Sequence, residues 1–173
     1  NDIEKYLNVP YVKGNVLVVN DLWNPTMEQV KHEGVLLLDE RDETVLEFVK
    51  ENTKIFDDSH DWRHAIKVAY NSTKILNNKH VLYLALLHDV CDHKYEKAIK
   101  RDVLTKYIND KLADYIAIDE MIDEVSFSKQ VKTATSSKQN DFNKVNPVLE
   151  AVRDGDRIEA LGEVGIERCK MIV

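Results

Sequence analysis

The pattern of hydrophobic and polar positions changes period once along this chain. Val16-Leu17-Val18-Val19 and Val35-Leu36-Leu37-Leu38 are apolar runs of strand length, separated by Asn20, Asn24, Pro25 and Gly34. They predict a two-stranded ribbon or an irregular, non-helical arm over residues 1–40. From Thr44 the spacing becomes helical. Val45, Phe48, Val49 and Ile55 mark one face of a helix ending near Phe56, with Asp42 and Glu43 where helix starts favour acids. Asp57-Asp58-Ser59 reads as the cap of a second helix, about 60–77, carrying Ile66, Ala69, Tyr70, Thr73 and Leu76 on one face. The densest apolar run follows, Val81-Leu82-Tyr83-Leu84-Ala85-Leu86-Leu87, and it ends abruptly in His88-Asp89. It is far shorter than the roughly 20 residues that span a bilayer. It therefore predicts the most buried helix of the domain, which carries an imidazole and a carboxylate into the interior at its end.

Past a polar segment at 91–95, Leu104, Tyr107, Ile108, Leu112, Tyr115, Ile116, Met121, Ile122 and Val125 predict one or two amphipathic helices. Residues 126–145 have no apolar period and predict a mobile loop. Asn146 as N-cap and Pro147 at the first helical position open a last helix, with Val148, Leu149, Val152, Ile158 and Leu161 as its buried stripe. Asp154 and Asp156 sit inside that helix, where propensity alone disfavours Asp. The expected fold is all-α, one helical domain over 41–173, with the arm at 1–40 outside it.

At 173 residues the chain is long enough for one full core, and its five Gly and three Pro argue against a sandwich or barrel. A net charge of −7 argues against a nucleic-acid partner, whose recognition is mostly electrostatic. It leaves room for a small phosphorylated substrate met by a metal and a few local cations. Cys91 and Cys169 are too few for a disulfide framework, and no signal peptide or membrane span is visible. A cytoplasmic protein is the expectation, with no membrane partner. Apolar arms such as 14–38 often pack on a second copy, so a homo-oligomer is also among the expectations.

Burying an ionised carboxylate such as Asp89 without a partner costs several kcal/mol, on the order of magnitude usual for charges taken out of water. A divalent cation offsets that cost, and so does a basic side chain. Further ligand types occur at helical positions elsewhere: His64, the His88-Asp89 pair, and Asp156 lie on three different predicted helices. Together they make a mixed nitrogen and oxygen set for one divalent ion. Such a set suits Mn²⁺, Fe²⁺, Co²⁺, Ni²⁺ or Zn²⁺ better than Mg²⁺. Each residue also has an ordinary reading. His64 alone is a core or surface histidine, His88 a helix-end histidine paired with Asp89, and Asp156 a partner of Arg157 or Arg153.

The order His64, His88-Asp89, Asp156 resembles the HD-domain metal-dependent phosphohydrolases, named for a His…His-Asp…Asp ligand set on an all-helical fold. Ser-His-Asp-Trp-Arg-His at 59–64, Leu-Leu-His-Asp-Val-Cys-Asp-His-Lys at 86–94, Ser-Phe-Ser-Lys at 126–129 and Asp-Gly-Asp-Arg-Ile-Glu-Ala-Leu-Gly-Glu-Val-Gly-Ile-Glu-Arg at 154–168 extend the likeness. They look like a branch of small stand-alone nucleotide hydrolases that includes dNTP pyrophosphohydrolases. The similarity covers roughly residues 42–170. It implies that His64, His88, Asp89 and Asp156 hold the ion, Asp154 being a reserve ligand. It implies a catalytic role for Asp92, which falls where related alarmone hydrolases carry an acid that orients the attacking water. Lys94, Lys129 and Arg157, together with Arg63, become candidates for holding phosphate oxygens. His60 is a phosphate contact, a supporting group behind the ligands, or a helix-start residue. The implied activity is hydrolysis of a nucleotide or similar phosphate ester. The alternative is a regulatory protein that keeps the metal and nucleotide without turnover. A two-iron oxygenase on this fold would need further histidines after the doublet, and none follows His93.

Overall fold

The computed structural model describes residues 11–12, 15–18, 36–126 and 146–161. Three short antiparallel strands come first: β1 (Tyr11–Val12), β2 (Asn15–Val18) and β3 (Leu36–Leu37), in the order β1-β2-β3. Tyr11 pairs with Val16, and Leu17 with Leu37. Both predicted apolar runs thus supply strands, and the ribbon gains a third that is too short for any alternation to reveal. Every other described segment is helix or turn, as the apolar spacing predicts. The helices are α1 (Glu40–Thr53), α2 (Trp62–Ile75), α3 (Lys79–Leu87), α4 (Arg101–Lys111), α5 (Ala117–Ile122) and α6 (Pro147–Leu161), with a 3₁₀ turn at Ala113–Tyr115. The predicted loop beyond Ser126, Lys129 included, lies outside the described residues.

α1 begins earlier than its apolar spacing indicates, because polar chemistry sets its start. Asp39 and Asp42 form a capping box: the Asp42 N–H donates to Asp39 Oδ1 (2.9 Å) and the Asp39 N–H to Asp42 Oδ2 (3.0 Å). Asp42 does more than favour the helix dipole. It is fully buried, accepts a 2.6 Å hydrogen bond from the Tyr83 hydroxyl, and pairs with Lys79. A buried carboxylate answered by a cation, a phenol and a backbone N–H is the satisfied kind. It ties the start of α1 to the first two turns of α3.

α2 also starts away from the expected cap. Residues 57–61 form a turn in which the N–H groups of His60 and Asp61 both donate to the Asp57 carbonyl (3.0 and 3.1 Å). Asp61 is therefore the N-cap, accepting from the Arg63 N–H at 2.9 Å. His60 stands in the turn before the helix and not on its face. α3 is apolar on all sides and buried on all sides: from Val81 to Leu87 no residue exceeds 3% exposure. α6 opens as predicted, with Asn146 Oδ1 accepting from the N–H groups of Val148 (3.1 Å) and Leu149 (3.4 Å).

α2 packs most extensively on α6 and next on α3, which places it between them. The closest approach is at Gly155. A Cβ there would stand 2.1 Å from Ser72 Oγ and 2.9 Å from the Ser72 backbone nitrogen. Ser72 cannot retreat, since it is fully buried with its hydroxyl donating to the Val68 carbonyl at 2.7 Å. Glycine in mid-helix is thus required by the neighbouring backbone. Gly155→Ala should lose stability despite the better helix propensity of alanine. Overpacking costs about 1–3 kcal/mol, against a gain of up to about 1 kcal/mol in propensity. Thermal unfolding should show a Tm lowered by several degrees; an unchanged or raised Tm would mean the two helices can part freely.

Candidate metal centre

The end of α3, the first turn of α2 and the middle of α6 meet at one point. His88 is the C-cap of α3, where the last carbonyls of a helix favour positive charge. Its Nδ1 lies 2.7 Å from the Ala85 carbonyl, a contact that requires the Nδ1–H form and leaves Nε2 as the free nitrogen. His64 projects from α2 with its ring 5.6 Å from that of His88. His64, His88 and Asp89 each offer a ligand atom, all within 4.8 Å of one another. Asp156 of α6 stands beside this group, with Oδ1 at 3.2 Å from His64 Nε2 and 4.0 Å from His88 Nε2. Asp154 points elsewhere and accepts from Arg157 Nη1 at 3.1 Å. Of the two acids flanking Gly155, Asp156 is the one in the cluster.

The two imidazoles are buried, at 4% and 3% side-chain exposure, while the Asp89 and Asp156 side chains retain 27% and 35%. The site is therefore walled by rings and open through its carboxylates. His88 Nε2 lies 3.3 Å from Asp89 Oδ2 and 4.0 Å from Asp156 Oδ1 and makes no hydrogen bond. A buried ring nitrogen left unsatisfied while two carboxylates converge on it is a poor arrangement for a polar core, but it fits a cation. The electrostatics agree. Burial opposes a charged His88, yet Asp89, Asp156 and the Ala85 carbonyl outweigh it and push the imidazole up to about 9. Burial likewise works against the two acids. The neighbouring histidines nevertheless hold Asp89 well below the usual carboxylate range, and hold Asp156 below it as well. Without a metal, the cluster gathers a proton instead.

The other predicted residues are distributed around this cluster. Asp92 follows in the same turn, its N–H donating to the Asp89 carbonyl at 3.0 Å, and its carboxylate accepts from the Lys94 N–H at 3.0 Å. Lys94 is exposed, with its ammonium 3.8 Å from Asp92. Arg63 is held by Asp61 through Nε (2.8 Å) and pairs with Asp58. Arg157 is half-exposed beside Asp154. The structure thus joins the four expected ligands and gives each expected phosphate-binding cation among the described residues a carboxylate neighbour.

Sequence reading assigned His60 only loosely and missed what surrounds it. Asp57 Oδ1 lies 3.0 Å from His60 Nδ1 and accepts from the Ser59 N–H at 2.9 Å and the Ser59 hydroxyl at 2.5 Å. The Tyr95 hydroxyl donates to Asp57 Oδ2 at 2.5 Å and sits 3.2 Å from His60 Nδ1. Tyr95 also stacks on Phe56 at 4.0 Å, which fixes its ring. Burial and Asp57 push the Tyr95 phenol up to about 12, so it remains a donor. Burial disfavours the charge on Asp57, but Ser59, Tyr95 and His60 hold it well below the usual carboxylate range. The available signal was an acid three residues before a histidine. It was read as a cap because no sequence pattern reveals Tyr95 opposite.

No protein-family profile matches the chain. It is 30% identical over 141 residues to an uncharacterized protein of Acanthamoeba polyphaga mimivirus, covering 73% of this chain and 57% of that one. Two solved structures of Bacillus subtilis YpgQ are similar in fold. The first has a TM-score of 0.56; the second, in complex with ADP, has 0.53. Both are 20% identical in sequence and cover 77% of this chain and 65% of theirs. The chain therefore spans less than two thirds of the length of either relative. At that identity the likeness to YpgQ is one of fold. Among the described residues no helix is long and apolar enough to cross a membrane.

The raised His88 sets a pH dependence. Below about pH 9 the His88 proton must leave before a cation can enter, so apparent affinity should rise by about tenfold per pH unit and level off above it. Mn²⁺ titrations between pH 6 and 9 should show this slope. A flat profile would mean that ions bind away from His88.

Proposed function

We propose that this chain is a metal-dependent phosphohydrolase of the HD-domain type, acting on a nucleotide or a related phosphate ester. The observation that carries the reading is the cluster itself. Two buried imidazoles and two partly open carboxylates, from α2, the end of α3 and α6, converge around a His88 Nε2 that makes no hydrogen bond. The ADP complex of a protein of similar fold supports a nucleotide as substrate. His64, His88, Asp89 and Asp156 would hold one divalent ion, for which a transition metal such as Mn²⁺ suits the donor set better than Mg²⁺. When bound, the ion would offset charge on phosphoryl oxygens and acidify a water.

The chain's own residues do the rest. Ala85 fixes the tautomer of His88, and the packing of Gly155 on Ser72 holds Asp156 against His64. Asp92 aligns the attacking water; its side chain is only 10% exposed, and its hydrogen bond to Asp89 makes the two acids one turn. Arg157 and Lys94 exchange their carboxylate partners, Asp154 and Asp92, for phosphate oxygens, Arg63 supports the start of α2 behind them, and Lys129 is a further phosphate contact.

Mn²⁺-loaded protein should release phosphate or pyrophosphate from at least one member of a panel of nucleoside mono-, di- and triphosphates. Asp89→Ala should abolish both metal binding and release. Binding of nucleotide without any release would convert the reading to a regulatory metal- and nucleotide-binding protein. Neither binding nor release would contradict both.

A further inference from the structure

The turn before α2 holds a second constellation that the metal set does not use. Asp57 accepts from the Ser59 N–H, the Ser59 hydroxyl and the Tyr95 hydroxyl, and its Oδ1 lies 3.0 Å from His60 Nδ1, which the Ser59 oxygen also approaches at 2.7 Å. A carboxylate so surrounded stays an acceptor, and a Ser59 hydroxyl whose hydrogen goes to Asp57 meets the ring as an acceptor too, so the two together place the proton of the His60 ring on Nδ1. Nε2 is then the lone-pair nitrogen, the one this network leaves over. The ring lies 6.3 Å from that of His64, tilted by 50°, so it borders the ligand cluster without joining it. Tyr95 reaches back from the turn that carries Asp89 and Asp92, and its stack on Phe56 and bond to Asp57 tie that turn to the connection between α1 and α2. A histidine oriented by a carboxylate at one nitrogen and free at the other is the arrangement that proton transfer needs.

Resting on the phosphohydrolase reading, we infer that His60 is the proton acceptor of the reaction and that Asp57 and Tyr95 are its positioning residues. Asp92 aligns the water. As the water oxygen bonds to phosphorus, its proton passes to His60 Nε2. The bond from phosphorus to the leaving phosphate breaks, its electron pair departs on the phosphate oxygen, and the protonated His60 returns its proton to solvent. Asp57 touches neither water nor substrate and acts only through the ring.

Two measurements test this on the full chain. The first is ¹⁵N NMR of the ring nitrogens with Mg²⁺ present. His60 should be the Nδ1–H tautomer in the wild type and lose that fixed state in Asp57→Asn. A wild-type His60 protonated on Nε2 alone would overturn the positioning, whatever the enzyme does. The second is a double-mutant cycle with Mn²⁺ and the nucleoside triphosphates. His60→Ala should lower kcat by about 10²–10⁴-fold with metal stoichiometry and KM little changed. Asp57→Asn should lower kcat by at least about tenfold alone, and have almost no further effect in the His60→Ala background. Equal losses in both backgrounds would make Asp57 a structural residue and overturn the inference. A His60→Ala variant keeping more than about a third of wild-type kcat would also overturn it. A wild-type chain inactive on every nucleotide would overturn the hydrolase reading and the proton transfer with it, while the tautomer would still decide the positioning.

Discussion

One contact, the Gly155 backbone against Ser72, determines whether Asp156 can join the two histidines. Asp156 is the next residue on α6, and its distance to His64 is set by how closely α6 can lie on α2. Only glycine permits that approach, because any side chain would meet a hydroxyl and a backbone nitrogen that are themselves fixed. The glycine costs about 1 kcal/mol of helix propensity. The neighbouring acid is unfavourable in mid-helix as well. A helix interrupted twice by poor formers is explained by the geometry that the two residues impose together. The Asn71 amide, 3.4 Å from the Gly155 carbonyl, adds a polar tie at the same level.

α3 then serves as a rod between two electrostatic anchors. At its start Lys79 and Tyr83 meet the buried Asp42 of α1, and at its end His88 and Asp89 meet His64 and Asp156. Between them the fully apolar turns bury side chains worth roughly 1.5–3 kcal/mol each, which is what holds the charged ends in place. The two anchors differ in completeness. Asp42 has a cation, a phenol and an N–H as partners, whereas the cluster around His88 leaves a ring nitrogen unsatisfied. The satisfied anchor is structural, and the unsatisfied one is the group that could hold a metal ion.

The sequence made the helical architecture legible wherever a period or a cap was local. The Val81–Leu87 run, the Asn146-Pro147 start and the order of the metal-type residues could each be read along the chain. What could not be read depended on contacts across it. Asp42 was placed correctly at a helix start, but its burial comes from Lys79 and Tyr83, far along the chain. Asp57 looked like a cap because caps and turn-closing carboxylates share one composition, and only Tyr95 opposite separates them. Arg63 reads as a phosphate ligand along the chain, and no local pattern reveals that Asp61 and Asp58 both hold its guanidinium. Whether Asp154 or Asp156 faced the histidines was open, since both acids flank one glycine, and helix packing decides it.

The proposed function requires one cation held by His64, His88, Asp89 and Asp156. Anomalous diffraction from crystals of the protein grown with Mn²⁺ tests it most directly. The expected result is one strong peak at about 2.0–2.3 Å from a nitrogen of His64, a nitrogen of His88 and carboxylate oxygens of Asp89 and Asp156. No peak at that point, or a peak coordinated by other residues, would contradict it.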